Sequence, residues 1–114
     1  MNLRNGSVFV AELTTIGRST GLLCPVELRL VYLDGRFYAS SASIERKHWC
    51  RNLVKNPDAE VSVDGAKFRC RVRQVTEEKL RREVLTLRDS PPLLDRVVFE
   101  MTPNDSPASL TKNR

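Results

Sequence analysis

The chain is poor in the residues from which metal and redox centres are built. It has one histidine, and its three cysteines, Cys24, Cys50 and Cys70, stand far apart with no CxxC pair. A multi-histidine metal site is excluded, and zinc or a redox dithiol has little support. Buried, reduced thiols in a cytoplasmic protein are the expectation. Aromatics make up only 6% of the residues, and no glycine–aromatic motif for stacking single-stranded bases is visible, so a nucleic-acid partner is not expected. No apolar run approaches the roughly 20 residues of a membrane-spanning helix. The N-terminus carries Arg4 without an apolar signal core, so secretion is not expected either. No internal repeat is present. No Ser/His/Asp or Cys/His set can be assembled around His48, and the acidic residues form no recognisable catalytic pair.

What is present is an ordinary globular composition in 114 residues, 40% apolar and 29% charged, which predicts one domain. The formal charge is +5, with arginine the dominant base. That balance suits an anionic cofactor, nucleic acid or an acidic membrane surface, and it equally suits a soluble protein with excess arginine.

Strands dominate the pattern. Ser7 to Leu13 mixes β-branched and apolar residues, and Leu23 to Leu33 alternates Glu27, Arg29 and Val31 against Leu28, Leu30 and Tyr32. Asp34-Gly35 signals a hairpin that returns through Arg36 to Ser41. Ile44 to Val54 reads as a short helix ended by Asn56-Pro57, because the residue before proline is steered from helical geometry. Ala59 to Val63, the Asp64-Gly65 turn and Ala66 to Val75 give a second hairpin. On its return strand Phe68, Cys70, Val72 and Gln74 alternate with Lys67, Arg69, Arg71 and Arg73. That basic row reads most plainly as a solvated face, with an anion-facing or subunit-facing surface as the alternative. Thr76 is the expected cap of a second helix whose apolar stripe is Leu80, Val84, Leu85 and Leu87. A last strand follows from Arg96 to Met101. Residues 1–103 are taken as the domain and 104–114 as a polar, mobile tail. A six-stranded antiparallel barrel, closed or split, with two helices leaves no exposed sheet edge and is the predicted fold.

Two segments stand out chemically. Leu13-Thr14-Thr15-Ile16-Gly17-Arg18-Ser19-Thr20-Gly21 is a glycine-flanked basic turn. Ser40-Ser41-Ala42-Ser43 leads into Arg46-Lys47-His48-Trp49-Cys50-Arg51-Asn52-Leu53, where small residues let backbone amides approach a ring or phosphate and a helix N-terminus offers unpaired N–H groups. Arg46 and Lys47 are badly placed against the helix dipole unless an anion sits there. Arg18 suits a phosphate or carboxylate, or is a solvated turn arginine. Trp49 reads as a core or dimer anchor, with ring stacking the alternative. Asn52 braces backbone or touches ligand. His48 is a surface or interface histidine, or a proton donor. Ser41 and Ser43 are strand-end hydroxyls or ligand contacts.

These segments, with Asp34-Gly35-Arg36, Asn56-Pro57, Val61-Ser62-Val63-Asp64-Gly65, Arg71 to Glu78 and Val97 to Pro103, make the chain resemble the split-barrel flavin and deazaflavin reductase superfamily. This is the pyridoxine-phosphate-oxidase-like fold, and the closest resemblance is to its deazaflavin-dependent nitroreductase branch. The likeness runs from about Ala11 to Pro103. Departures are Ser19 in place of a usual basic residue, Ala42-Ser43-Ile44-Glu45 in place of a Gly-Gly segment, and His48 in place of the proline before Trp49. The chain also starts only a few residues before its first strand, so the branch's N-terminal helix is expected to be lacking. The resemblance implies a homodimer with a cofactor at the interface, either the deazaflavin coenzyme F-420 or flavin mononucleotide (FMN). It implies that Arg18, Ser19, Thr20, Ser41, Ala42, Ser43, Lys47, Trp49 and Asn52 hold that cofactor. It further implies hydride transfer to a small nitro-bearing or unsaturated substrate, with no protein side chain assigned a catalytic role and no metal. The alternative is a split barrel that binds or stores a flavin-like molecule or haem without turnover.

Overall fold

Two Asp-Gly pairs set the hairpins. Asp34 and Gly35 take φ of 52° and 82°, and Asp64 and Gly65 take 50° and 81°. Positive φ at both central residues matches the right-handed twist of the flanking strands, which is why asparagine- or aspartate-glycine pairs mark such turns. The computed structural model describes residues 3–104; residues 105–114, the bulk of the expected tail, lie outside the described residues. The elements are β1 (Ser7–Ile16), β2 (Leu23–Leu33), β3 (Arg36–Ser41), α1 (His48–Lys55), β4 (Asp58–Val63), β5 (Ala66–Gln74), α2 (Glu78–Arg88) and β6 (Val97–Pro103).

The six strands form a closed antiparallel barrel in the order β1-β2-β3-β6-β5-β4, as the pattern predicts. β1 closes it by pairing with both β2 and β4, with Leu13 opposite Val26 on one side and Val61 on the other. β1 and α1 are the elements whose bounds differ most from expectation. The strand runs on to Ile16 because Thr15 and Ile16 continue the ladder opposite Cys24 and Leu23. The helix begins at His48, later than Ile44, because the Ser43 N–H donates to Ser41 Oγ (3.3 Å) and the Ser41 hydroxyl donates to the Ser43 carbonyl (2.9 Å). That local turn holds the backbone outside helical geometry.

Inside the barrel lie Leu13, Leu30, Phe37, Val61 and Met101, all fully buried. Phe37 stacks at tilted angles on Tyr32 and Phe68, each 5.3 Å between centroids. α1 adds Trp49, Cys50 and Leu53 to the same core. A second, smaller core sits on the outer wall, where Val84 and Leu85 of α2 cover Val31, Leu33, Tyr38, Val75 and Val98. Val31 is therefore buried although it shares the outward face of Glu27 and Arg29; the helix, not the strand period, decides it.

Some local expectations are corrected. α2 has Glu77 at its N-cap, with no side-chain cap bond, in place of Thr76. The Glu77 carboxylate instead accepts from Arg73 Nη1 at 3.0 Å. Leu87, counted in the apolar stripe, is exposed, and so is Gln74. The basic row is solvated as expected, with Lys67, Arg69, Arg71 and Arg73 all exposed, and two of the four are also paired: Arg71 with Asp58, and Arg73, whose Nε donates to Glu100 Oε1 at 2.7 Å. Glu100 is buried and also accepts from the Tyr38 hydroxyl at 2.8 Å.

Phe37→Ala should destabilise the fold by about 3–5 kcal/mol, the usual cost of emptying an aromatic site in a packed core. Urea unfolding with an unchanged slope would register it. Burial and the Glu100 carboxylate push the Tyr38 phenol above its ordinary value of 10.0. A phenol whose folded pKa is raised stabilises the protein below its unfolded pKa and loses that contribution as pH rises past it. The stability advantage of the protein over Tyr38→Phe should therefore shrink as pH rises above about 10, measured by urea midpoints across that range.

Candidate functional site

The turn after β1 must pass close to its own return path. The Gly17 N–H donates to the Leu22 carbonyl at 2.7 Å. A Cβ at position 17 would lie 2.7 Å from Thr20 Oγ1 and 3.1 Å from the Leu22 carbonyl oxygen, so only glycine fits without a shift. This compaction brings Arg18 against α1. Its backbone N–H and its Nη1 both donate to Asn52 Oδ1, at 3.2 and 2.9 Å, and its Nη2 lies 3.3 Å from His48 Nδ1. A guanidinium can only donate, so in this contact Nδ1 is the acceptor, which goes with the tautomer that carries the ring proton on Nε2.

Between α1 and the start of β2 lies a groove of about 320 Å³. It is lined by Thr15, Cys24, Pro25 and Val26 on the sheet side and by Arg46, Lys47, His48, Trp49 and Asn52 on the other. Trp49 forms a buried wall, its ring edge-on to Phe99 at 5.9 Å. Lys47 is the N-cap residue of α1, no side chain caps the helix, and no acidic residue stands in its first turn. The first N–H groups of the helix therefore have neither an intrahelical partner nor a side-chain cap. Among the described residues Arg18, Arg46, Lys47, Arg51 and Lys55 form no ion pair, and neither do Arg4, Arg29, Arg36, Lys67, Arg69 and Lys79; what sets the first group apart is that Arg46 and Lys47 line the groove and Arg18 is held against its α1 wall. Positive charge at the α1 end is thus uncompensated. Such an arrangement attracts an anion.

The structure gathers Arg18, Lys47, Trp49 and Asn52 at or beside this groove, together with Arg46 and His48. It leaves the other sequence-predicted positions off the lining. Ser19 is exposed in the turn, and Thr20 Oγ1 accepts from the Leu22 N–H at 3.1 Å. Ser41 is buried and bonded to Ser43, Ala42 is exposed, and Ser43 Oγ accepts from the Arg46 N–H at 3.4 Å. The serines act on the chain's path into α1. Thr15, Cys24, Pro25 and Val26 were missed as lining residues. Thr15 carried a signal: it continues the inward period of Ala11 and Leu13 with a hydroxyl. A second groove, about 360 Å³, lies between the β1–β2 tip and the β4–β5 hairpin; Asp58 and Glu60 line it beside Arg69, which makes it unsuited to an anion.

Burial pushes the Cys70 thiol up to about 12 and raises Cys50 as well, the latter against an opposing hydrogen bond from Ser41. Both are buried, while Cys24 in the groove is half-buried. Since thiolates are the reacting species, Cys24 should be labelled first by a water-soluble disulfide reagent. Cys50 and Cys70 should follow only on unfolding, as read by mass spectrometry of the labelled peptides.

A comparison with curated proteins gives no significant match. The family model described as F420H(2)-dependent quinone reductase matches residues 3–93. Among solved structures the chain is similar to one described as an F420-H2 dependent reductase, 22% identical, covering 81% of this chain and 92% of that one, with a TM-score of 0.65. It is similar to another described as a domain-swapped dimer, 21% identical over 81% and 78% of the two chains, TM-score 0.65. The haem storage protein HutZ from Vibrio cholerae is 16% identical over 83% and 81%, TM-score 0.64. At these identities the likenesses show the shared split-barrel fold.

Proposed function

This chain belongs to the F420H(2)-dependent quinone reductase family, and on that premise we propose that it is a deazaflavin-dependent oxidoreductase whose α1 groove receives the anionic arm of coenzyme F-420. The observation that carries the reading is the uncompensated cationic groove at an uncapped helix N-terminus. Its donor set fits a phosphate-bearing group. Lys47 and Arg46 supply charge, and Arg18 keeps three of its five N–H donors free after bonding Asn52 and His48.

When bound, the reduced deazaflavin supplies a hydride to the acceptor, which we propose to be a small quinone, nitro-bearing or unsaturated compound. The chain's own residues bind and orient. Arg18, Arg46 and Lys47 hold the anionic arm, and Trp49 keeps the groove floor closed to water from below. His48, with Nδ1 turned to Arg18, presents Nε2 at the groove's rim. No side chain needs to form a bond to substrate, which fits a site without an activated nucleophile. The β1–β2 tip beside the groove exposes Leu22 and Leu23 at 68% and 72%. We propose that a second copy of the chain covers this tip, an arrangement supported by the domain-swapped relative. Among the described residues no helix is long and apolar enough to cross a membrane.

Fluorescence titration with coenzyme F-420, FMN and haem tests the reading. Coenzyme F-420 should bind well below millimolar, a level worth only about −4 kcal/mol, and its reduced form should be oxidised in the presence of a quinone. Tighter FMN or haem binding, or coenzyme binding without turnover, would favour the flavin or storage alternatives. Arg18→Ala should weaken coenzyme F-420 by about 1.5–3 kcal/mol, the range for a hydrogen bond to a charged group. Lys47→Ala should reduce both the affinity and its dependence on salt.

A further inference from the structure

We propose that Asn52 is the positioning residue of this groove: it aims the charge of Arg18 while leaving that charge uncancelled. The proposal rests on the reading of the groove as an anion site. Asn52 is 2% exposed, and its amide is already committed. Oδ1 accepts from both the backbone N–H and Nη1 of Arg18, which uses both of its lone pairs. Nδ2 donates to Thr15 Oγ1 at 3.0 Å, and the Thr15 hydroxyl donates to the Cys24 carbonyl at 3.4 Å. One side chain of α1 therefore ties together the end of β1, the basic turn and the start of β2, across 34 and 37 residues of sequence.

The geometry also fixes the guanidinium. His48 and Asn52 are four residues apart and so share one face of α1. They give the planar fork of Arg18 two acceptors, Nδ1 and Oδ1, along that face. An arginine in an exposed turn would otherwise lose much rotamer freedom on meeting a ligand; held in advance, it loses less. The chemical identity of the holder matters. An aspartate could accept the same two bonds, but its charge would pair with Arg18 and remove the attraction that an anionic ligand needs. An amide orients without neutralising. Asn52 thus acts on the ligand only through Arg18, and its oxygen is closed to direct contact.

The test is a double-mutant cycle read by coenzyme F-420 fluorescence on the full chain. Asn52→Leu and Arg18→Ala should each weaken binding by about tenfold or more, the span expected for losing a bond to a charged group. Residues acting as one unit are non-additive, so the double variant should bind within about twofold of Arg18→Ala alone. Asn52→Asp keeps both acceptor positions and should stay folded by its melting curve, yet bind about tenfold more weakly because Arg18 is then paired. Losses that multiply in the double variant would show direct ligand contact by Asn52 and overturn the proposal. So would unchanged affinity in Asn52→Asp or Asn52→Leu. Absence of coenzyme binding by the unaltered chain would overturn the cofactor reading and this one together, whereas binding with multiplying losses would overturn only the positioning role.

Discussion

Everything in this structure depends on closing six short strands into a ring. A sheet of this size with open edges would leave a row of unpaired backbone groups on each side. Here β1 accepts β4 along Glu12 to Thr15 while its other edge pairs with β2 over its whole length, so neither side of that stretch is free. Closure forces small residues to the inside: Ala11, Ala39 and Ala59 alternate with Leu13, Phe37 and Val61 in the inner core. It also leaves ends to seal. The chain between β3 and β4 does this with α1, whose Trp49, Cys50 and Leu53 join the barrel core while Arg51, Val54 and Lys55 stay outside. The groove is a consequence of that seal. A helix of eight residues cannot cover the whole barrel end, and the gap between its first turn and the β1–β2 tip is where the cations collect.

The parts of the fold governed by neighbouring residues were legible in the sequence. Asp34-Gly35 and Asp64-Gly65 fix both tight hairpins, and the bounds of β2 and β3 follow from them. The barrel itself was legible because a run of antiparallel hairpins with two helices has few ways to hide its edges. What was not legible is whatever depends on a distant partner. Val31 looks like an outward residue until α2 is laid over it. Thr76 looks like a cap until Arg73, bound to buried Glu100, claims the Glu77 carboxylate and sets where α2 begins. The end of β1 was placed too early because Thr15 is polar; its burial is explained only by Asn52, far along the chain.

The candidate site divides along the same line. The sequence marked the cations, because Arg46 and Lys47 stand at a helix start where the dipole repels them, and a local mismatch needs no fold to be seen. It also marked the turn, since Gly17 and Gly21 bracket Arg18. The geometry that joins turn and helix was hidden, and so were the apolar and sulfur-bearing walls supplied by Cys24, Pro25 and Val26. Ser41, Ala42 and Ser43 lie off the groove lining: small residues before a helix invite a ligand-binding reading, and here the hydroxyls hold one another and the Arg46 N–H.

Unpaired cations beside a groove and an uncapped helix start distinguish the α1 end of the barrel. On β5, β6 and α2, carboxylates answer the arginines: Glu100 and Glu77 on Arg73, Glu78 on Arg81 and Arg82, Asp89 on Arg88. Those pairs range from exposed, as Arg82 with Glu78, to partly buried, as Arg73 with Glu100, and the exposed ones are individually weak. At α1 and the basic turn no such pair forms among the described residues, although Glu45 stands next to Arg46 in the chain. Like charges crowded at the positive end of a helix oppose folding unless a ligand or a neutral holder makes them useful. Asn52 is such a holder, because its amide oxygen accepts from Arg18 without cancelling the charge. The same choice repeats at the helix start, where Lys47 occupies a cap position that serine, threonine or aspartate would fill more stably. Stability is given up at two adjacent points for a single electrostatic result, an end of the barrel left open to negative charge.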